Sequence, residues 1–175
     1  MTALAVTGHM DLTEDSVPAV RAALDELLQR YLDPGGDRGK NPGRDLVGIS
    51  CIAKGADSLF AEAVLAAGGR LTVVVPSRDY RESEVRPDDA PLFDRLVRAA
   101  DEVVVLPHEK AGRRAYEAAN AVLLERADRL VAVWNGEPPG GRTGGTADMV
   151  LRARAAGTPV DVVWPDGAAR RVGSG

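Results

Sequence analysis

The chain has 175 residues, 45% hydrophobic and 27% charged, enough to bury one sizeable core. Its formal net charge of -4, with no basic stripe, argues against a nucleic-acid backbone as the partner, so no nucleic acid is expected. The lone cysteine, Cys51, excludes an intrachain disulfide and a cysteine-rich zinc site, and neither a metal nor a cofactor is expected.

Met1 leads into a strand-like segment without a basic n-region or a long apolar run. Neither a signal peptide nor a membrane span is expected, and the cytoplasm is the expected compartment. Short, β-branched apolar runs then recur at Leu4–Thr7, Leu46–Cys51, Leu71–Val75, Glu102–Leu106, Leu130–Trp134 and Val160–Trp164. They are nearly continuous rather than alternating, as strands covered on both faces are. Between them lie helical patterns. The first carries Val17, Val20, Leu24, Leu27, Leu28 and Tyr31 at helical spacing, with Thr13 as its N-cap. Ala56–Ala67, Asp89–Ala99, Arg114–Ala127 and Thr146–Ala156 repeat the theme. Helices between buried strands predict right-handed crossovers and a doubly wound, Rossmann-like α/β fold, with a mainly parallel sheet of about six strands and helices on both faces. Asp33–Arg44 reads as a loop. Residues 1–167 are expected to form one nucleotide-binding domain, with Ala168–Gly175 as a flexible tail.

In such a sheet, ligands bind outside the carboxyl ends of the strands. Polar and glycine residues gather at those ends: Thr7-Gly8-His9 after the first strand, Lys54-Gly55-Ala56-Asp57 after the second, Ser77-Arg78-Asp79-Tyr80 after the third, and Asn135-Gly136 after the fifth. The fifth strand leads on to Gly144-Gly145-Thr146. That stretch reads either as a turn and N-cap, or as backbone N–H groups cradling a phosphate at a helix N-terminus. Asp57 is either a first-turn acid or an acceptor for a ribose hydroxyl. His9 reads as a turn residue or a ligand contact, Trp134 as core or as a base-stacking platform. Arg78 and Tyr80 could close over a ligand. Neither a P-loop nor a G-x-G-x-x-G fingerprint is present.

Taken together, Val6-Thr7-Gly8-His9, Lys54-Gly55-Ala56-Asp57, Val75-Pro76 with Tyr80, Asn120 before Ala127-Asp128, and Trp134-Asn135-Gly136 followed by Gly144-Gly145-Thr146 resemble the SLOG superfamily. That group includes the LOG enzymes and DprA proteins, and the resemblance spans about residues 3–165. It implies a Rossmann-like domain for a nucleotide or nucleotide-derived molecule, with the phosphate near the helix that starts at Thr146. The implied contacts are Thr7, Gly8, His9, Lys54, Gly55, Ala56, Asp57, Asn135, Gly144, Gly145 and Thr146. The resemblance also implies a homodimer, for which Val122, Leu123 and Leu124 give one helix apolar residues on more than one face.

One departure bears on catalysis. LOG enzymes carry a P-G-G-x-G-T-x-x-E motif whose glutamate serves N-glycosidic hydrolysis, and aligning Gly145-Thr146 places Met149 at that position. Asp148 lies one residue earlier, about 100° around the helix. A methionine cannot stabilise a cationic transition state. The favoured expectation is therefore a binding or sensing domain without chemistry. The alternative is a LOG-like hydrolase of nucleoside monophosphates that uses Asp57 or Asp148.

Overall fold

The computed structural model describes residues 1–32, 45–140 and 145–172. The segment expected as a loop at Asp33–Arg44, and Gly144 of the glycine-rich stretch, lie outside them. Six strands, β1 (Thr2–Gly8), β2 (Leu46–Ser50), β3 (Arg70–Val75), β4 (Glu102–Val105), β5 (Arg129–Val133) and β6 (Val160–Val163), form one sheet in the order β4-β3-β2-β1-β5-β6. Every neighbouring pair is parallel. Each strand begins or ends within two residues of the apolar run that predicted it. The fold is the doubly wound, Rossmann-like α/β fold.

Side chains alternate across the sheet, as strand geometry requires. Leu4 and Val6 of β1 pack with Val20, Leu24 and Leu28 of α1 (Val17–Leu32) and with Phe60 and Val64 of α2 (Ala56–Ala66). Beside them, Leu71 and Val73 of β3 pack with Phe93 and Leu96 of α4 (Ala90–Ala99). Ala3 and Ala5 point the other way, toward Ala119 and Leu123 of α5 (Arg113–Arg126) and Met149 and Ala153 of α6 (Thr146–Ala155). Val122 and Leu124, cited above for a dimer face, are half-buried against this same core. They are used within the chain itself.

Two local features depart from expectation. A short helix, α3 (Tyr80–Glu84), precedes α4, and Tyr80 is buried against Phe93 rather than poised over a ligand. The turn before it is tied by the Asp79 carboxylate, which accepts from the Ser77 hydroxyl and the Ala111 N–H, each at 2.7 Å. The segment expected to fray from Ala168 is instead pinned as far as Arg171. Ala169 C=O accepts from Thr13 N–H, Arg171 N–H donates to Asp11 C=O, and Arg170 pairs with Asp11 at 2.8 Å. Its small and charged residues carry no hydrophobic signal; backbone hydrogen bonds and one ion pair hold it. No helix among the described residues is long and apolar enough to cross a membrane.

Candidate functional site

The strand order reverses between β1 and β5: from β1 the chain moves outward to β2, β3 and β4, then crosses back to β5 on the far side of β1. At such a switch point the two flanking connections leave on opposite faces, and a crevice opens at the carboxyl ends of the strands. The loops after β1, β2 and β5 meet there. His9 N–H donates to Val133 C=O at 3.2 Å, and His9 C=O accepts from Ala56 N–H at 3.2 Å. The His9 Nε2 accepts from the Asn135 backbone N–H at 3.2 Å, and the Asn135 side-chain oxygen accepts from Glu137 N–H. His9 is buried, and Trp164 stands edge-on to its ring with the centroids 5.6 Å apart. Burial, followed by the Arg170 charge, holds its imidazole below the usual histidine range. His9 is thus a neutral stitch between three loops, with its Nε2 lone pair already engaged.

Glycine is demanded at two points of this junction. A Cβ on Gly8 would stand 2.3 Å from Ala56 Cβ and 2.9 Å from Val133 Cβ. Gly55 has φ +86°, and a Cβ there would stand 2.7 Å from His9 C=O. Ala56 is fully buried and its N–H is taken by His9, so it offers the crevice no donor.

The β2 loop is strained and firmly held. Ile52 has φ +47°, unusual for a β-branched residue and sustained only where the surroundings impose it. Here Ser50 Oγ accepts from Ile52 N–H at 2.9 Å and donates to Asp57 C=O at 3.1 Å, while Ser58 Oγ donates to Ala53 C=O at 2.7 Å. The Asp57 carboxylate accepts from Ala53 N–H. Lys54 rides on this loop, half-buried, with no ion pair among the described residues. Burial pushes the Asp57 carboxyl up to about 7, against the lowering pull of the Ala53 N–H, although the residue keeps some solvent access. Burial also raises the Cys51 thiol and the Tyr80 phenol, and the Asp57 charge adds to both.

On the other side of the crevice, Thr7, next to the last residue of β1, is half-buried, and alternation puts it on the same face as Ala3 and Ala5. Gly145 is the N-cap of α6 and exposed, and a Cβ on Gly145 would meet no described residue within 4 Å. Thr146 and Asp148 follow in the first turn, both half-buried. Met149 is fully enclosed in the core beneath α5 and α6. Its position therefore faces the sheet rather than the crevice. Trp134 is half-buried, with the Arg154 guanidinium of α6 6.0 Å over its ring and its own indole N–H donating to Glu137 C=O at 2.9 Å. Arg78 pairs with Glu109 on the exposed surface.

The sequence reading missed the surroundings of Asp57. Cys51, just after β2, and Tyr80 of α3 lie near it, and the Tyr80 ring meets that of Tyr116 from α5 edge to face at 6.5 Å. No local pattern joins residues so far apart in the chain.

No family model matches the chain, and no curated protein matches it. Solved structures do match its fold. DNA processing protein A (DprA) from Streptococcus pneumoniae aligns with a TM-score of 0.65 at 18% identity, over 95% of this chain and 52% of that one. The chain therefore spans about half the length of that protein. DNA processing protein A from Helicobacter pylori, described for its single-stranded DNA binding mode, aligns at 0.62 with 15% identity, over 97% of this chain and 68% of that one. The Moco carrier protein from Chlamydomonas rheinhardtii aligns at 0.50 with 17% identity, over 92% and 74%. The chain shares the fold of these DNA processing protein A structures.

That finding corrects one expectation. Nucleic acid was excluded on net charge, yet the fold is shared with a protein described for binding single-stranded DNA. Net charge is a sum over the whole surface, whereas a phosphate responds to the amides and cations within a few ångströms of it.

Proposed function

We propose that the crevice at the β1–β5 switch point binds a nucleotide or nucleotide-derived molecule. Its phosphate lies against the N-terminus of α6 at Gly145 and Thr146, and Lys54 supplies the counter-charge. The observation that supports this reading is the meeting of three strand-end loops at the carboxyl edge of the sheet, with the α6 start following the β5 loop. First-turn amides and the positive end of the helix dipole favour an anion. Lys54, without an ion pair among the described residues, rides on the β2–α2 loop, which the Ala56–His9 hydrogen bond ties to the β1 loop, and this supports it as the counter-charge.

The reading is binding without N-glycosidic hydrolysis. The position that would carry a LOG-type glutamate is a buried methionine, so this helix offers the crevice no acid from position 149. DprA-like architecture supports a ligand built from nucleotides, and a short single strand belongs in the same test as free nucleotides. A panel of nucleoside mono-, di- and triphosphates, a cyclic dinucleotide and a deoxy-oligonucleotide, screened by thermal shift and calorimetry, decides it. A true ligand at 100 times its dissociation constant adds about 2.7 kcal/mol of stability. Chromatography of the same mixtures should recover the nucleotide intact. No stabilisation by any member of the panel would overturn the reading.

A further inference from the structure

The sheet ends in β4 on one side and β6 on the other. β4 is the four-residue strand Glu102-Val103-Val104-Val105, and its Val103 and Val105 are 40% and 51% exposed. Val103 is in register with Val73, which packs beneath α4, so alternation puts both exposed valines on the α4 face of the sheet. There α4 covers β3 but leaves the two valines open. Val104 points the other way, into the core with Ala119 and Leu123 of α5.

The backbone directions of β4 follow from one hydrogen bond. Leu106 N–H donates to Val75 C=O at 3.0 Å, and the direction of these groups alternates along a strand. The N–H and C=O of Glu102 and Val104 therefore face β3, whereas those of Val103 and Val105 point outward from the sheet. Outward donors and acceptors with apolar side chains beside them form a template for another strand.

We propose that β4 is an interface to a second copy of this chain, with the two β4 strands pairing antiparallel about a two-fold axis at Val104. The register follows from which groups face outward. Val103 of one copy exchanges N–H···O=C hydrogen bonds with Val105 of the other, and Val104 meets its own counterpart at the non-hydrogen-bonded position. Opposed side chains share a face, so each exposed Val103 comes to lie against an exposed Val105. No like charges oppose one another in this register. Glu102 falls opposite Leu106 and keeps its ion pair with Arg126 of α5 in its own chain. Pro107, the next outward position, has no N–H to donate and ends the ladder.

The opposite edge of the sheet lacks this self-complementarity. On β6, Leu130 N–H donates to Pro159 C=O and Trp134 N–H to Val163 C=O, which turns the backbone of Val160 and Val162 outward. Val162 is 48% exposed, so apolar surface is present there too. The same pairing would set Asp161 directly against Asp161 of the second copy, and like charges in that position oppose association. Contacts with Arg129 at 2.9 Å and Tyr31 at 2.5 Å hold that carboxylate in place rather than letting it turn aside. Charge pattern therefore selects β4. On its own, a four-residue edge buries less than the roughly 800 Å² per partner of a standard stable complex. The dimer is accordingly a weak one that forms in the micromolar range.

Sedimentation velocity on the full chain, from low- to high-micromolar concentration, tests this interface. Wild type should pass from monomer toward dimer as concentration rises. Val105→Pro removes an outward donor and leaves the ladder with β3 whole, so it should raise the dissociation constant about tenfold or more. Val162→Pro makes the matching change on β6 and should leave association as it was. Val104→Cys gives a readout that does not depend on the folding of the proline variants. Its thiols meet across the axis within disulfide reach, so mild oxidation should yield a reducible covalent dimer. Wild type, with Cys51 alone, and Val162→Cys should yield none. These substitutions lie outside the loops of the crevice, so their outcome is independent of the nucleotide-binding reading. A wild type that stays monomeric to high-micromolar concentration would overturn the proposal. A dimer that Val105→Pro leaves intact and Val104→Cys fails to cross-link would overturn it equally, by placing the interface elsewhere.

Discussion

The two walls of the crevice are built on opposite principles. On the β1–β2 side the backbone is crowded and over-determined: Gly8 lies against Ala56 and Val133, Gly55 against the His9 carbonyl, and a strained Ile52 turn is held by Ser50 and Ser58. On the α6 side, Gly145 is exposed and takes an ordinary extended conformation, and a Cβ there would meet no described residue within 4 Å. The contrast teaches how to read glycine at a sheet edge. Where a Cβ collides with the protein, the fold accounts for the glycine. Where it meets no described residue, as at Gly145 and equally at Gly112 and Gly140, packing makes no demand on the position.

This contrast can be tested by substitution. The largest effect should come from inside α6, where Met149→Glu would place an uncompensated carboxylate in the core and cost about 4 kcal/mol of stability. Urea unfolding measures it, and a loss well under half that size would show that position 149 reaches the crevice after all. Gly8→Val comes next, at about 3 kcal/mol, because the new side chain overlaps both Ala56 and Val133. A near-neutral result there would mean that the junction is softer than its geometry indicates. Gly145→Val sharpens the comparison from the other wall. Stability should fall by only about 1 kcal/mol, the cost of a poorer N-cap at an otherwise open position. Nucleotide affinity should nevertheless fall about tenfold or more, since a branched side chain shields the first-turn amides. The smallest effect should be Lys54→Ala, a loss of about fivefold in affinity with little change in melting temperature, in keeping with one partly solvated charge contact.

Much of this architecture was legible in the sequence, for a definite reason. Strands buried on both faces must be short, apolar and β-branched, so Leu71–Val75 and Leu130–Trp134 declare themselves without reference to partners. The strand-end loops were legible too, because Gly8 and Gly55 are glycines that the backbone requires. What stayed hidden depends on direction and distance. The one-residue offset between Asp148 and Met149 is written in the chain, but which of them faces the sheet is decided by how α6 lies on β5 and β1. The pinning of Ala169–Arg171 rests on backbone hydrogen bonds to Asp11 and Thr13, which leave no hydrophobic trace. The grouping of Asp57 with Cys51 and Tyr80, and of Tyr80 with Tyr116, is one that only the crossovers bring together.

The central claim is that a phosphate-bearing ligand enters between these two walls. Amide chemical shifts recorded during titration with adenosine monophosphate test it most directly. The account predicts saturable shifts at Gly145 and Thr146 and in the Lys54–Gly55 turn, with Arg70, Glu102 and Arg129 at the opposite edge of the sheet undisturbed. Shifts confined to that opposite edge, or none at millimolar nucleotide, would contradict it.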